Sequence, residues 1–263
     1  RVNGDFILLR SQTSFEKLTR VVRPVGEPVL EMLEISVEGK ISDITLSLHR
    51  GEILGIGGLK GSGGEAILEV LYGEYPPTKG EMRFEGKAYR PRRPDQAWEM
   101  GIAYLPGSRT TEGLIVDFSV LWNLSMASIP QRGPFIDLSS ERALGERLVE
   151  VLRIKAPSVT VSCNSLSGGN LQKVVLGKCM APNPKVLLLN NPTRGIDVGA
   201  RMEIYRIIYQ LAQKGISVIL LSEDLPELIG MSDQIIVTRA GRISKTFQRG
   251  EHPSEEEIIS YMS

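Results

Sequence analysis

The chain has 263 residues, enough to bury one large core and a small subdomain. Its 31 Lys plus Arg balance 31 Asp plus Glu, which gives no electrostatic basis for a nucleic-acid or polybasic-membrane partner. No apolar run approaches the roughly 20 residues of a spanning helix. The first residues lack the charged-then-apolar order of a secretory leader. Cys163 and Cys179 have neither metal-ligand nor redox spacing and read as buried or idle thiols of a reducing compartment. The chain opens on Arg1 rather than Met, as expected of a trimmed chain or of the second half of a longer polypeptide.

Residues 1–28 are polar, lack a sustained period and read as a linker or entry segment. Alternation then predicts strands over 29–37 and 44–49. A short apolar strand, 52–56, runs into a glycine-rich turn, after which Ala66, Ile67, Val70 and Leu71 fall at helical spacing. Residues 81–84 and 88–90 form a predicted hairpin, and 102–105 another strand. From Ser119 to about Ala156 the pattern is helical, with Leu144, Leu148 and Leu152 recurring every fourth residue. Ser167 is placed to cap the helix after it. Residues 186–189 and 216–221 are continuous apolar runs, as in strands buried on both faces. Between them Ile204, Ile207, Ile208 and Leu211 make a helical stripe. A late hairpin turns at Ala240-Gly241, and Ser254 with Glu257 makes a capping box for a last helix over 254–263. Strands alternating with helices predict an α/β fold with a mostly parallel core sheet.

The turn after the third strand reads Gly58-Leu59-Lys60-Gly61-Ser62-Gly63-Gly64-Glu65. A phosphate-binding loop, G-x-x-x-x-G-K-[ST], sits between such a strand and helix. Gly58, Gly61, Ser62 and Gly63 suit it. Gly64, however, stands in the lysine position and Glu65 in the hydroxyl position that would ligate Mg²⁺. Backbone N–H groups at a helix start still attract anions, but like charges about 4 Å apart cost about 4 kcal/mol near a surface. Glu65 therefore opposes a nucleotide if it points inward; it can also point away, or stand in for the phosphate at the positive helix end. Lys60 offers another route to a phosphate. The plain alternative is an ordinary glycine-rich turn.

Downstream come Leu166-Ser167-Gly168-Gly169-Asn170-Leu171-Gln172-Lys173, then Pro192 to Ala200 (PTRGIDVGA) and Leu225 to Asp233 (LPELIGMSD). On these stretches the chain, from about Glu27 onward, resembles an ABC-type nucleotide-binding domain. It is similar to the second ATPase half of bacterial importers for ribose, xylose, galactose and related monosaccharides. The resemblance implies an ABC-type P-loop fold over 29–253, with a β-rich N-terminal edge and a helical subdomain near 110–160. It also implies ATP and Mg²⁺ shared between two such domains, each site using the loop of one and the LSGG signature of the other. Ser167, Gly168, Gly169 and Asn170 match the signature unchanged, and Asp197 matches the D-loop aspartate. Both Ser167 and Asp197 also fit simple helix caps.

The departures fall elsewhere. The family's Walker B pair, Asp then Glu, is here Asn190 and Asn191. Asn190 lacks the charge a hard cation wants, and Asn191 cannot act as a general base. Glu223 occupies the switch-histidine place and Gly107 the Q-loop place. No Phe, Tyr or Trp lies between Phe15 and Tyr72 to stack on adenine, which leaves His49 as the ring available. The losses concern the domain's own nucleotide, and the retained motif serves a partner's. The resemblance thus implies a half with weak or no Mg·ATP in its own loop and little activity alone. It would complete the site of a second ATPase half, in the same or another polypeptide. Its expected place is peripheral, on the cytoplasmic face of the membrane, against a permease fed by a periplasmic sugar-binding protein. The permease would dock near residues 107–122, where Trp122 is either an interface anchor or, more in keeping with its helix, core packing. The alternatives are half of a nucleoside importer, a regulatory or scaffold protein without transport, and a rewired ATPase using Glu223 as base.

Overall fold

The structure, a computed structural model, describes residues 26–248, 250–251 and 253–263. Most of the expected linker, 1–25, lies outside the described residues. The elements follow in the order β1 (Pro28–Val37), β2 (Ile41–His49), β3 (Ile53–Gly58), α1 (Gly64–Tyr72), β4 (Lys79–Phe84), β5 (Lys87–Tyr89), α2 (Pro94–Glu99) and β6 (Ile102–Leu105). A π-helical turn (Arg109–Gly113), α3 (Val120–Ser125), β7 (Gln131–Arg132), β8 (Phe135–Ile136) and α4 (Leu138–Val151) come next. The chain ends with α5 (Gly168–Met180), β9 (Val186–Asn190), α6 (Val198–Gln213), β10 (Ser217–Leu221), α7 (Leu225–Met231), β11 (Gln234–Arg239), β12 (Arg242–Phe247) and α8 (Glu255–Met262).

A six-stranded sheet ordered β12-β11-β3-β10-β9-β6 is parallel except for the β11–β12 hairpin at one edge. A four-stranded antiparallel sheet, β2-β1-β4-β5, lies over one of its faces. The fully buried strands alternate between two cores. Val186 and Leu188 of β9, with Ile219 and Leu221 of β10, join α1 and the antiparallel sheet. Leu187, Leu189, Val218 and Leu220 point the other way, toward α5, α6 and the helical lobe. A period of two with both faces covered explains why β9 and β10 read as unbroken apolar runs.

The helical stretch predicted from Ser119 to Ala156 is broken. Helix α3 ends at Ser125, the β7–β8 hairpin intervenes, and α4 begins under an Asp137 cap that accepts from the Ser139 and Ser140 N–H groups at 3.2 and 3.1 Å. Pro130 and Gly133 sit in the interruption, where helix continuation is costly. Asn123 holds the lobe together, bonding both N–H and C=O of Ile115 at 2.9 Å. The lobe packs closely on α5: a Cβ on Gly177 would lie 2.4 Å from Leu124 Cδ2. Both thiols are buried, which pushes Cys163 up to about 11 and Cys179 up to about 12. Among the described residues no helix is long and apolar enough to cross a membrane.

Candidate nucleotide-facing sites

Parallel β3, β9 and β10 deliver their carboxyl ends to one edge of the sheet, where ligands of open α/β sheets bind. The Gly58–Glu65 loop, the Asn190–Asn191 pair and Glu223 meet there. The loop is fastened from below. Ser62 Oγ pairs with Thr238 Oγ1 at 2.7 Å, Gly241 N–H donates to the Ser62 carbonyl at 2.8 Å, and Thr238 Oγ1 donates to the Gly57 carbonyl at 3.1 Å. Gly63 caps α1 with φ 112°, a conformation that disfavours any side chain. A Cβ on Gly64 would lie 2.7 Å from Leu221 Cδ1 and 3.2 Å from Ile56 Cγ2, so a side chain in the lysine position needs the tip of Leu221 to move aside. Gly61 and Lys60 are exposed at the loop tip.

Asn190 and Asn191 form a chain of hydrogen bonds through their side-chain amides. Asn190 Nδ2 donates to Tyr104 Oη at 3.2 Å, Asn191 Nδ2 to Asn190 Oδ1 at 2.9 Å, and Glu223 N–H to Asn191 Oδ1 at 2.9 Å. Both side chains are buried. A Cβ on Gly107 would lie 3.2 Å from Asn190 Nδ2, so Gly107 and Asn190 are in direct apposition. Neutral amides satisfy one another here, and a carboxylate pair would set two negative groups within hydrogen-bond distance. The surroundings are acidic. Burial, with Glu69, Glu112 and Glu65 nearby, pushes the Tyr104 hydroxyl up to about 12, and burial likewise raises Glu69. Asn190 and Asn191 thus present neutral amides, which offer no charged ligand to a hard cation. Among the described residues no group of three or more His, Cys, Asp or Glu side chains converges on a metal position.

His49 is not the missing stacking ring. It lies at the far end of β2, its Nδ1 2.9 Å from Glu52 Oε2, and the whole of β3 separates it from the loop. The turn before β3 needs a partner for the His49 N–H, and Glu52 supplies it at 2.7 Å.

The second face is open. Ser167 stands at the N-cap of α5, but its hydroxyl caps no backbone N–H; it accepts from Asn170 Nδ2 at 3.0 Å. The capping expected of its side chain is therefore corrected: Asn170 competes for the oxygen, and also accepts from Lys155 N–H at 2.8 Å. The first N–H groups of α5 lack an intrahelical partner and point where an anion is attracted. Asp197 caps α6, accepting from Ala200 N–H at 2.9 Å. A Cβ on Gly169 would lie 2.4 Å from the Ala200 Cβ, so the starts of α5 and α6 form one unit. Gly168 is half-buried, whereas Ser167, Gly195 and Asp197 are exposed, as is apolar Val198.

Between core and lobe runs a groove of about 670 Å³, lined among others by Tyr72, Glu74, Trp98, Tyr104, Glu112 and Lys178. Trp122 does not line it and is not core: the residue is 54 % exposed, its ring edge-on to Phe118 at 5.3 Å. The short α3 turns only Val120, Asn123, Leu124 and Ser125 inward.

Two residues escaped the sequence analysis. Arg109 bonds the carbonyls of Arg194 and Gly195 at 2.8 and 3.0 Å. Glu227, 1 % exposed, accepts from Thr193 and from Tyr205 Oη, and burial pushes its carboxyl up to about 7. Neither partner set has a local spacing. A buried Glu amid an apolar helix face was the one available signal.

The sequence profile of the ABC transporter family matches residues 41–194. This chain belongs to the ABC transporter family. It is 42 % identical over 237 residues to a ribose import ATP-binding protein of Rubrobacter xylanophilus, covering 89 % of this chain and 46 % of that protein. It is 39 % identical to one from Halalkalibacterium halodurans, covering 90 % and 48 %. The chain thus spans about half the length of the curated relatives it matches. Its fold is that of ABC cassettes. It superposes on cbiO1 of Clostridium perfringens with TM-score 0.75 at 20 % identity, covering 89 % of this chain and 94 % of that one. On the ATP-binding cassette MJ1267 in its ADP conformation the TM-score is 0.73 at 23 % identity, with the same coverages. The expectation of an α/β fold with a mostly parallel core sheet is met, and the expected β-rich N-terminal edge is a separate antiparallel sheet, β2-β1-β4-β5.

Proposed function

We propose that this chain is the signature-donating, catalytically silent half of a two-cassette ATPase that powers import of a monosaccharide. The observation that carries this reading is the contrast between the two faces. In the own-nucleotide corner the Leu221 tip lies against Gly64, and Tyr104, Asn190, Asn191 and Glu223 bond one another through neutral groups, while the Ser167–Asn170 helix start and Asp197 keep the family residues. The relatives' names speak of ribose import, and their double length supports a second cassette beside this one.

In this reading Ser167 and the first N–H groups of α5 hold the terminal phosphate of Mg·ATP bound by the neighbouring cassette. Bound there, Mg·ATP supplies the phosphoanhydride whose hydrolysis drives transport. The helix-start N–H groups stabilise phosphate charge as it develops. Asp197 reaches across the interface and couples the two sites. The degenerate loop holds nucleotide weakly or not at all. A membrane permease docks at the core–lobe groove, a periplasmic sugar-binding protein acts through it, and the chain rests peripherally on the cytoplasmic membrane face.

Phosphate release from millimolar Mg·ATP tests this. The isolated chain is expected to match buffer, and the assembly with its neighbouring cassette to turn over. Turnover of about one per second by the isolated chain overturns the proposal. Loss of that turnover in Glu223→Gln would then name Glu223 as a base. Stimulation by a nucleoside-loaded rather than a sugar-loaded binding protein would move the substrate class.

A further inference from the structure

Arg109 opens the π-helical turn Arg109–Gly113, two residues after Gly107. The turn is pinned at both ends. Ser108 carbonyl accepts from the Glu112 and Gly113 N–H groups at 3.2 and 3.0 Å, and Lys178 of α5 donates to the Gly113 carbonyl. Glu112 and Lys178 also line the groove between core and lobe. From the other end of the turn the Arg109 guanidinium reaches across 85 residues to Arg194 O at 2.8 Å and 86 residues to Gly195 O at 3.0 Å. Successive carbonyls of an extended chain point opposite ways. The left-handed φ of 68° at Gly195 turns these two toward one fork. The same guanidinium lies against α5, its Nη2 3.1 Å from where a Gly168 Cβ would stand. Arg109 Nε is buried without a hydrogen-bond partner, so the group is fixed by its Nη atoms alone.

We propose that Arg109 is a positioning residue for the neighbouring cassette's reaction. It clamps the Arg194–Gly195 turn onto the start of α5 and ties both to the groove wall. The clamp sets where Ser167 and Asp197 stand, and displacement of the π-helical turn by an occupant of the groove reaches them through this one side chain. π-helical turns are strained and recur at functional sites, and a planar two-pronged donor is what Arg supplies and Lys does not. The role in catalysis rests on the proposed function above; the clamp itself does not.

Two measurements test it. In the isolated chain, hydrogen exchange at the Arg194 amide, which donates to the Asn191 carbonyl at 3.1 Å, is compared between wild type, Arg109→Ala and Arg109→Lys, with amides 186–190 of β9 as the folding control. Exchange at Arg194 is expected to rise about tenfold or more in Arg109→Ala and to stay raised in Arg109→Lys, with β9 unchanged. Unchanged exchange at Arg194 overturns the clamp. If β9 also loosens in Arg109→Ala, the decision passes to Arg109→Lys, which keeps the stem and the charge. In the two-cassette assembly with its permease, kcat for ATP is expected to fall about tenfold in both variants while KM stays within about threefold. Loosened exchange with unchanged kcat, or a rise in KM alone, overturns the positioning role. A wild-type assembly without turnover strikes the proposed function instead, and the exchange comparison still judges the clamp.

Discussion

Helices α1 and α5 both begin with unpaired N–H groups that attract an anion, but α1 starts from left-handed Gly63 at the end of β3, whereas α5 starts from extended Ser167 after a 3-10 turn at Cys163–Ser165. They differ in what lies around them. At α1, Leu221 and Ile56 press on Gly64, Thr238 holds Ser62, and Glu65 occupies the first turn. At α5, Ser167 is exposed, the first turn carries no acid, and Arg109 stands beside Gly168. The two helix starts therefore differ both in the backbone conformation of the cap and in the side chains around it. A loop's fold class is a matter of glycines and strand-to-helix turns, but its chemistry is decided by a handful of contacts.

The largest expected effect comes from restoring charge to the closed corner. Asn190→Asp with Asn191→Asp keeps shape but sets two carboxylates against each other with no cation beside them. Stability at pH 8 is expected to fall by about 4 kcal/mol, read as the denaturant midpoint, and to recover toward pH 4. A variant as stable as wild type would mean the corner already tolerates anions and would erase the contrast.

Glu227 sharpens the comparison from the open side, beneath Thr193. Its facing groups are Thr193, Asp224, Arg201 and Tyr205, and burial is the chief cause of its raised proton affinity. The folded state binds the proton more tightly than the unfolded carboxyl at 4.5. The stabilisation from this proton is thus complete below pH 4.5 and is lost as pH rises through about 7, amounting to about 3 kcal/mol. Glu227→Gln is expected to flatten that dependence in pH-resolved unfolding; an unchanged slope would assign it to another group.

Next comes Ser167→Arg, which is exposed and should leave the unfolding midpoint alone. Turnover of the two-cassette assembly is expected to drop about a hundredfold, as when one donor to a developing charge is removed. Full turnover would show that the open face is not used. The smallest effect is Glu65→Thr, which removes the acid from the first turn of α1 and should cost about 0.5 kcal/mol, visible as a slightly lower melting temperature. A gain instead would mean that Glu65 is held against its neighbours.

Much of this molecule is readable along the chain. Ala66, Ile67, Val70 and Leu71 announce α1, and the runs at 186–189 and 216–221 announce buried strands. Ala240 and Gly241 announce a tight hairpin turn, which they make at φ 48° and 76°. The substitutions at Gly64, Glu65, Asn190, Asn191 and Glu223 are also visible as letters. Their consequence is not, because Asn190 finds its partner in Tyr104, 86 residues away, and Asn191 in the Glu223 backbone, 32 away. Trp122 faces out, against the expectation of core packing, because a helical pattern says which residues share a face, and the brevity of α3 decides how many of them are covered. His49 is adjacent to the loop in sequence but not in space, because the length of β3 stands between them.

Sequence by itself determined the alternation of strands and helices, the glycine turns and the survival of Ser167 to Asn170, since periodicity, φ preference and helix-start chemistry are local properties. Only the tertiary structure decided that the Leu221 tip lies against Gly64, that Asn190 and Asn191 bond each other and Tyr104, and that Arg109 bonds the Arg194 and Gly195 carbonyls beside α5. Those contacts join residues far apart in the chain, and burial, which sets the worth of each hydrogen bond and charge, exists only once the sheets are stacked.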